Sequence, residues 1–206
     1  AQINPHFLYN SFFLLQRLIK CELQQEASSL SKKLGIYFQY VTKSSNEIVF
    51  LKDEYQHAKI YTDIQAIRFE KRIQIHCETL PEKYAYWRIP KIILQPILEN
   101  AFNYGLADKT EDGILSLYFI TEDPKYLKIV IEDNGENLND EQLLVLQSSL
   151  DKVSLSEYSI ETTGLLNLYR RLQLYSHGND SMDIVRSESG GLKIIITLEE
   201  TVCTDY

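Results

Sequence analysis

The sequence predicts an α+β fold in which a helical hairpin over residues 1–45 precedes a mixed helix-and-strand domain over residues 46–206. Three observations carry this expectation. The opening stretch repeats apolar side chains at spacings of three and four, the helical period. Further on, Ile73, Ile75 and Cys77, and again Leu127, Ile129 and Ile131, alternate as strands do. The charge changes along with the pattern. Residues 1–60 carry 7 basic and 5 acidic groups, net +2, whereas residues 61–206 carry 14 and 24, net -10.

Within the hairpin, Leu8, Phe12, Leu15 and Ile19 form one apolar seam, and Ala27, Leu30, Leu34, Tyr37 and Val41 form a second. A turn falls near residues 21–27. Seams this short need a partner, either a second copy completing a four-helix bundle or the rest of the chain. Lys43-Ser44-Ser45-Asn46 is a polar break suited to a hinge. A long helix follows from Leu51 to Phe69, with Tyr55, Ile60, Ile64 and Ile67 near one face, and a strand from Arg72 to Thr79. Pro90 is expected to open a helix that Gly105 closes. Strands are expected at Ile114–Thr121 and Tyr126–Glu132. An amphipathic helix at Leu138–Leu150 is entered through Asn139, with Gln142 three residues on. Residues 151–162 read as a Ser/Thr-rich loop, Leu165–Tyr175 as a helix, and Met182–Arg186 and Leu192–Leu198 as strands around Ser189-Gly190-Gly191.

Composition narrows the function. With 44% hydrophobic and 24% charged residues, the 206-residue chain can bury a core. A net charge of -8 argues against nucleic acid as a partner. No apolar run reaches the roughly 18 to 20 residues that span a bilayer. The start, AQINPHFLYN, has no signal-peptide pattern. Cys21, Cys77 and Cys203 are too scattered for a disulfide framework or a zinc site and read as reduced thiols.

Four places could carry chemistry. His6 lies opposite the first seam, with Asn10 one turn further on the same side. Pro5 suits the first helical position and Asn4 the N-cap, so the helix dipole there disfavours imidazolium. A neutral exposed imidazole is a competent nucleophile; the alternative is a surface histidine without a role. On the helix after Pro90, Ile93, Ile97 and Ala101 line one side. Gln95, Glu99 and Asn103 line another, with Asn100 beside Glu99. Such groups call for a hydrated divalent cation, a polar ligand or solvent. Asp133-Asn134-Gly135 follows a strand, where a carboxylate could accept a hydrogen bond from an exocyclic amine. Thr162-Thr163-Gly164-Leu165 opens a helix, a site for anions.

Together these motifs resemble the cytoplasmic catalytic region of LytS-like sensor histidine kinases. The run from Gln2 through Pro5, His6 and Phe7 to Ser11 resembles the phosphoacceptor box, and Leu94-Gln95-Pro96-Ile97-Leu98-Glu99-Asn100-Ala101 the N box. Asp133-Asn134-Gly135 resembles the first glycine box, and Gly164-Leu165-Leu166-Asn167 the end of the second. The resemblance implies a helical dimerisation and phosphotransfer hairpin followed by a Bergerat-type (GHKL) α/β sandwich that binds ATP. It implies autophosphorylation on His6, then transfer to an aspartate of a response-regulator receiver domain, in a homodimer formed through the hairpin. It further implies that Asn100 holds Mg²⁺, that Asp133 reads the adenine amine and that Asn103, Gly135, Gly164 and Leu165 complete the nucleotide site. Glu99 would be the neighbouring carboxylate, and Asn10 would stand where related kinases place a residue used in phosphatase activity. The start inside the phosphoacceptor box reads as a piece of a longer membrane sensor, its cytoplasmic portion.

Several positions depart from the family pattern. Asn137, Ile160 and Thr162 stand where glycines are usual, and Asn103 and Tyr104 replace a basic residue and a histidine. Each adds bulk or removes positive charge where a triphosphate would lie. The sequence therefore admits a second reading: a degenerate kinase, impaired in ATP binding, that acts as a dimeric signalling scaffold.

Overall fold

The computed structural model describes residues 5–42, 47–153 and 164–200. Asn4, the polar break at 43–46, Ile160 and Thr162, most of the Ser/Thr-rich loop, and Cys203 lie outside the described residues.

Helix α1 (Pro5–Lys20) and helix α2 (Gln24–Thr42) form the hairpin. They are joined at Glu22, whose φ of 60° lies in the left-handed region, and the Leu23 N–H returns to the Leu18 carbonyl at 3.0 Å. Helix α2 buries the expected seam, Ala27, Leu30, Leu34, Tyr37 and Val41. Helix α1 does not. It buries Phe7, Ser11, Leu14 and Leu18, while Phe12 and Ile19 of the expected seam stay 57% and 60% exposed. The helix is apolar on nearly all sides, so tertiary contacts select the face. The Phe7 ring sits 4.6 Å from that of Tyr37 and 5.2 Å from that of Tyr61, which ties the hairpin to the next helix. Ser11 is accommodated inside because its Oγ donates to the Phe7 carbonyl at 2.7 Å.

That next helix, α3 (Leu51–Phe69), starts directly from strand β1 (Ile48–Phe50). It is buried on several sides because the hairpin covers one flank and the sheet another; Leu51, Ala58, Tyr61 and Ile64 are all interior. Strand β2 (Ile73–Cys77) follows, and strand β3 (Arg88–Pro90) pairs antiparallel with β1. Strands β4 (Gly113–Ile120), β5 (Tyr126–Asp133), β6 (Ser181–Arg186) and β7 (Leu192–Glu199) complete a five-stranded sheet of order β2-β4-β5-β7-β6. Only β2 and β4 run parallel; the other pairs are antiparallel.

Alternation makes the sheet two-faced. In register, Leu117 stands opposite Ile131, Ile131 opposite Ile194 and Ile129 opposite Ile196, all buried beneath the helices. The other face carries Glu132 and Lys193, which pair at 3.7 Å. Helices α4 (Gln95–Asn100), α5 (Asp140–Val153) and α6 (Gly164–Ser176) supply the rest of the second layer. Helix α5 extends to Val153, three residues into the expected loop. Its entry is the expected reciprocal cap: the Gln142 N–H donates to Asn139 Oδ1 at 2.8 Å, and the Asn139 N–H to Gln142 Oε1 at 3.0 Å.

The helix expected to open at Pro90 starts five residues later, since Pro90 ends β3. The cause is Glu54 on α3. Its fully buried carboxylate accepts the N–H groups of Ile92, Ile93 and Leu94 at 2.8, 2.8 and 3.0 Å, holding Ile92 at φ 58°. After α4 the chain widens into a π-turn, Ala101–Gly105, closed by the Leu106 N–H on the Ala101 carbonyl at 2.8 Å.

One buried acid sets a pH dependence. Asp180, before β6, is 3% exposed, and burial pushes its pKa up to about 6 even though it accepts the Glu199 N–H at 3.0 Å. From the ordinary 3.8 up to about 6, the folded chain binds the proton more tightly than the unfolded chain. Stability therefore falls as pH rises through that window and is level above it. Asp180→Asn keeps an acceptor oxygen without the charge. It is expected to abolish this fall and to raise neutral-pH stability by about 1–3 kcal/mol in urea titrations between pH 4 and 8.

Candidate active site

The loop after β5 is drawn against the π-turn. Asn134 latches it to the start of β4: its Oδ1 accepts the Ile114 N–H at 2.8 Å, and its Nδ2 donates to the Asp112 carbonyl at 2.7 Å. Asn137 Nδ2 donates to the Tyr104 carbonyl at 3.2 Å and to Asp108 Oδ2 at 2.9 Å. An asparagine where the family pattern has glycine thus ties two walls together.

Where these walls meet, Asp133 stands in a cradle of three glycines. A Cβ at Gly105 would lie 2.6 Å from Asp133 Oδ1, one at Gly191 2.2 Å from the same atom, and one at Gly135 2.3 Å from the Gly105 carbonyl oxygen. No side chain fits at these points. Asp133 is 3% exposed, and its Oδ1 accepts the Gly135 N–H at 2.8 Å and the Leu192 N–H at 3.4 Å. Burial raises its pKa, and the two N–H groups oppose the rise. Among the described residues nothing bonds Oδ2, which leaves an acceptor for a ligand N–H. Sequence reasoning found Asp133 and Gly135 but took Gly105 for a helix end and Gly191 for a turn glycine. The Gly190-Gly191 doublet was the available signal: Gly190 takes the positive φ of the turn, at 105°, which frees Gly191 for a packing role.

A cleft of about 1020 Å³ opens above this cradle. Glu99, Asn100 and Asn103 line one part of it, Asp133 and Gly135 another, and Gly164 and Leu165 a third. Leu138, Val145 and Leu146 of the α5 region add an apolar wall that the sequence did not point to. Gln95 does not reach the cleft. It is buried, and its Nε2 donates to Glu99 Oε1 and to Tyr37 OH, both at 2.7 Å. The described lining holds four carboxylates, Glu99, Asp108, Asp133 and Glu141, and no lysine or arginine. No cluster of three or more His, Cys, Asp or Glu among the described residues could chelate a metal alone. The donor set of Glu99, Asn100 and Asn103 is of the hard-oxygen kind that holds Mg²⁺ together with ligand phosphates.

His6 and Asn10 lie outside the cleft, in the first turns of α1. His6 is exposed, and Asn10 Nδ2 sits 3.3 Å from its Nδ1 and 3.2 Å from its Nε2. The Asn10 amide therefore lies against the ring and restricts how it can turn.

Residues 1–73 match the family model described as histidine kinase. The sensor histidine kinase BtsS of Escherichia coli K12 is 34% identical over 135 residues, 66% of this chain and 24% of that protein. The sensor protein LytS of Oceanobacillus iheyensis is 28% identical over 194 residues, 93% of this chain and 32% of that protein. The solved histidine kinase domain of the Erythrobacter litoralis EL346 blue-light activated kinase superposes with a TM-score of 0.49 at 14% identity, covering 86% of this chain and 82% of that one. The chain spans about a quarter to a third of the length of these curated relatives. The chain is thus similar to LytS-type sensor histidine kinases, and the runs that resemble the phosphoacceptor box, the N box and the first glycine box stand in that order along it.

Proposed function

We propose that this chain is the catalytic portion of a two-component sensor histidine kinase. In this reading residues 46–206 bind ATP with Mg²⁺, and residues 1–45 carry the phosphoacceptor His6 and the dimer contact. The observation that supports it best is Asp133 in its glycine cradle at the base of the cleft. A buried carboxylate with one committed oxygen suits an adenine amine, and the glycines let the surrounding backbone close tightly around that carboxylate. Glu99, Asn100 and Asn103 face the end suited to phosphates. Bound Mg²⁺ would screen the triphosphate there.

The reaction is a displacement at phosphorus. A ring nitrogen of His6 attacks the γ-phosphorus, the bond to the bridging oxygen breaks, ADP leaves, and a ring proton is lost to solvent or a base. The Asn10 amide lies against both ring nitrogens and must move off the one that attacks. His6 is not part of the cleft, so the hairpin must shift, or His6 of a second copy must enter it. The exposed Tyr9, Phe12, Phe13 and Ile19 on α1 offer a second copy an apolar face, and the phosphoryl group would pass on to a receiver-domain aspartate. The acidic lining favours one further reading, a scaffold that binds no ATP.

Calorimetry with MgATP separates the two readings. The kinase reading expects binding that Asp133→Asn weakens about tenfold or more, the loss of a charge-assisted hydrogen bond. It also expects acid-labile phosphate from labelled ATP that His6→Gln eliminates. Absence of MgATP binding in a folded chain leaves the scaffold.

A further inference from the structure

One buried carboxamide joins the hairpin to the cleft. Gln95 opens α4, and every polar atom of its side chain is committed. Its Nε2 has two hydrogens, and they go to Tyr37 OH on α2 and to Glu99 Oε1 on the cleft wall, each at 2.7 Å. Its Oε1 takes His57 Nε2 at 2.7 Å, which makes that nitrogen the protonated one. His57, on α3, is 2% exposed, and its Nδ1 has no partner among the described atoms. Its ring lies between those of Tyr37 at 4.9 Å and Tyr40 at 4.2 Å, each tilted by 21°. Tyr40 OH in turn donates to Glu54 Oε2 at 2.7 Å, the carboxylate that holds residues 92–94. Burial lowers the pKa of His57 and disfavours the charged ring, in keeping with the neutral Nε2–H form.

The consequence concerns Glu99. A glutamate on the wall of an open cleft has several rotamers; the Gln95 amide fixes this one next to Asn100. The amide keeps its orientation because His57 and Tyr37 hold its other positions. Tyr37 belongs to the hairpin, so the hairpin's seat on α3 and the aim of a cleft carboxylate share one hydrogen-bonded junction. An amide with both hydrogens and its oxygen engaged has no slack: loss of Tyr37 leaves a buried N–H unpaired, and rotation of the amide is the relief.

We infer that Gln95 is a positioning residue, held by His57, that transmits the seating of the hairpin through Tyr37 to Glu99 at the metal-phosphate end of the cleft. This rests on the nucleotide reading above and adds to it a route by which hairpin movement alters nucleotide binding. When the hairpin leaves its seat, Glu99 loses its bond to the Gln95 amide and the phosphate end loses part of its preorganisation; the adenine end, built by Asp133 and the glycines, is untouched.

The test uses two probes in calorimetry, a non-hydrolysable ATP analogue with Mg²⁺ and adenosine. Tyr37→Phe and Gln95→Leu are expected to weaken the Mg²⁺-analogue complex about five- to tenfold and to leave adenosine affinity unchanged. Tyr37→Phe should add nothing in a Glu99→Gln background. Wild-type affinity for the analogue in Tyr37→Phe, or effects of Tyr37→Phe and Glu99→Gln that multiply, would overturn the inference. A parallel cycle on urea unfolding midpoints covers the case in which wild type binds neither probe. The nucleotide reading then fails, and the junction is still judged: non-additive midpoints for Tyr37→Phe and Glu99→Gln uphold it, and additive ones reject it.

Discussion

Gly191→Ala is expected to destabilise the chain by about 3 kcal/mol or more and to abolish measurable nucleotide binding. The new Cβ would lie 2.2 Å from Asp133 Oδ1, 2.4 Å from the Asp133 carbonyl oxygen and 2.5 Å from the Gly135 nitrogen. Two of these atoms are backbone, on the last pair of β5 and the loop it feeds, so no rotamer change relieves the overlap. Either β7 parts from β5 at the Glu132–Lys193 end of their pairing, or Asp133 leaves its two N–H partners. Both routes dismantle the only acceptor that the adenine reading relies on. Gly164→Ala is the control. A Cβ there meets nothing within 4 Å, and alanine is a better helix former, so stability should change by no more than about 0.5 kcal/mol. Urea unfolding and calorimetry on the two variants check the contrast. Gly191→Ala with the midpoint and affinity of wild type would show that the cradle is not needed.

That contrast also shows what could be read in the residues. Both glycines stand in recognisable punctuation, Gly164 at a loop-to-helix junction and Gly191 in a turn. The sequence pointed to Gly164, and the packing singles out Gly191, because a close approach between strands far apart in sequence leaves no local mark. The same distinction runs through the fold. The α2 seam was legible because its other faces are polar, and the alternating strands because one side of the sheet meets solvent. The α1 seam was misplaced by one position: with Phe7, Leu8, Phe12 and Phe13 all apolar, periodicity cannot choose, and the Tyr37 and Tyr61 rings do. The start of α4 was misplaced because Glu54, nearly forty residues away, replaces a local cap. Strands β1 and β3 are three residues each, too short to show a period. Of the candidate site, Glu99, Asn100, Asn103, Asp133, Gly135, Gly164 and Leu165 do line one cleft, and His6 and Asn10 lie apart from it. The inward turn of Gln95 became visible only once Tyr37 and His57 were in place.

Removal of Mg²⁺ is expected to lower ATP affinity a hundredfold or more, a larger effect than any single side chain outside the cradle. A triphosphate brings about four negative charges into a lining that holds Glu99, Asp108, Asp133 and Glu141 and, among the described residues, no cation. Each like pair about 6 Å apart repels by roughly 0.7 kcal/mol in a water-like dielectric and by more where the walls exclude water. Several such pairs sum to about 3 kcal/mol, a hundredfold in affinity. A divalent ion shared between the phosphates and oxygens such as those of Asn100 turns the strongest of these repulsions into attractions. Adenosine carries none of these charges, so its binding should be indifferent to EDTA. Asn103→Lys places one cation at the phosphate end and should recover about tenfold of the metal-free ATP affinity, an effect that fades as salt is raised. Calorimetry with ATP and adenosine, with and without EDTA, resolves these outcomes. ATP that binds equally well without metal would mean that positive charge reaches the cleft from elsewhere, and the acidic lining would then have no bearing on how the triphosphate is held.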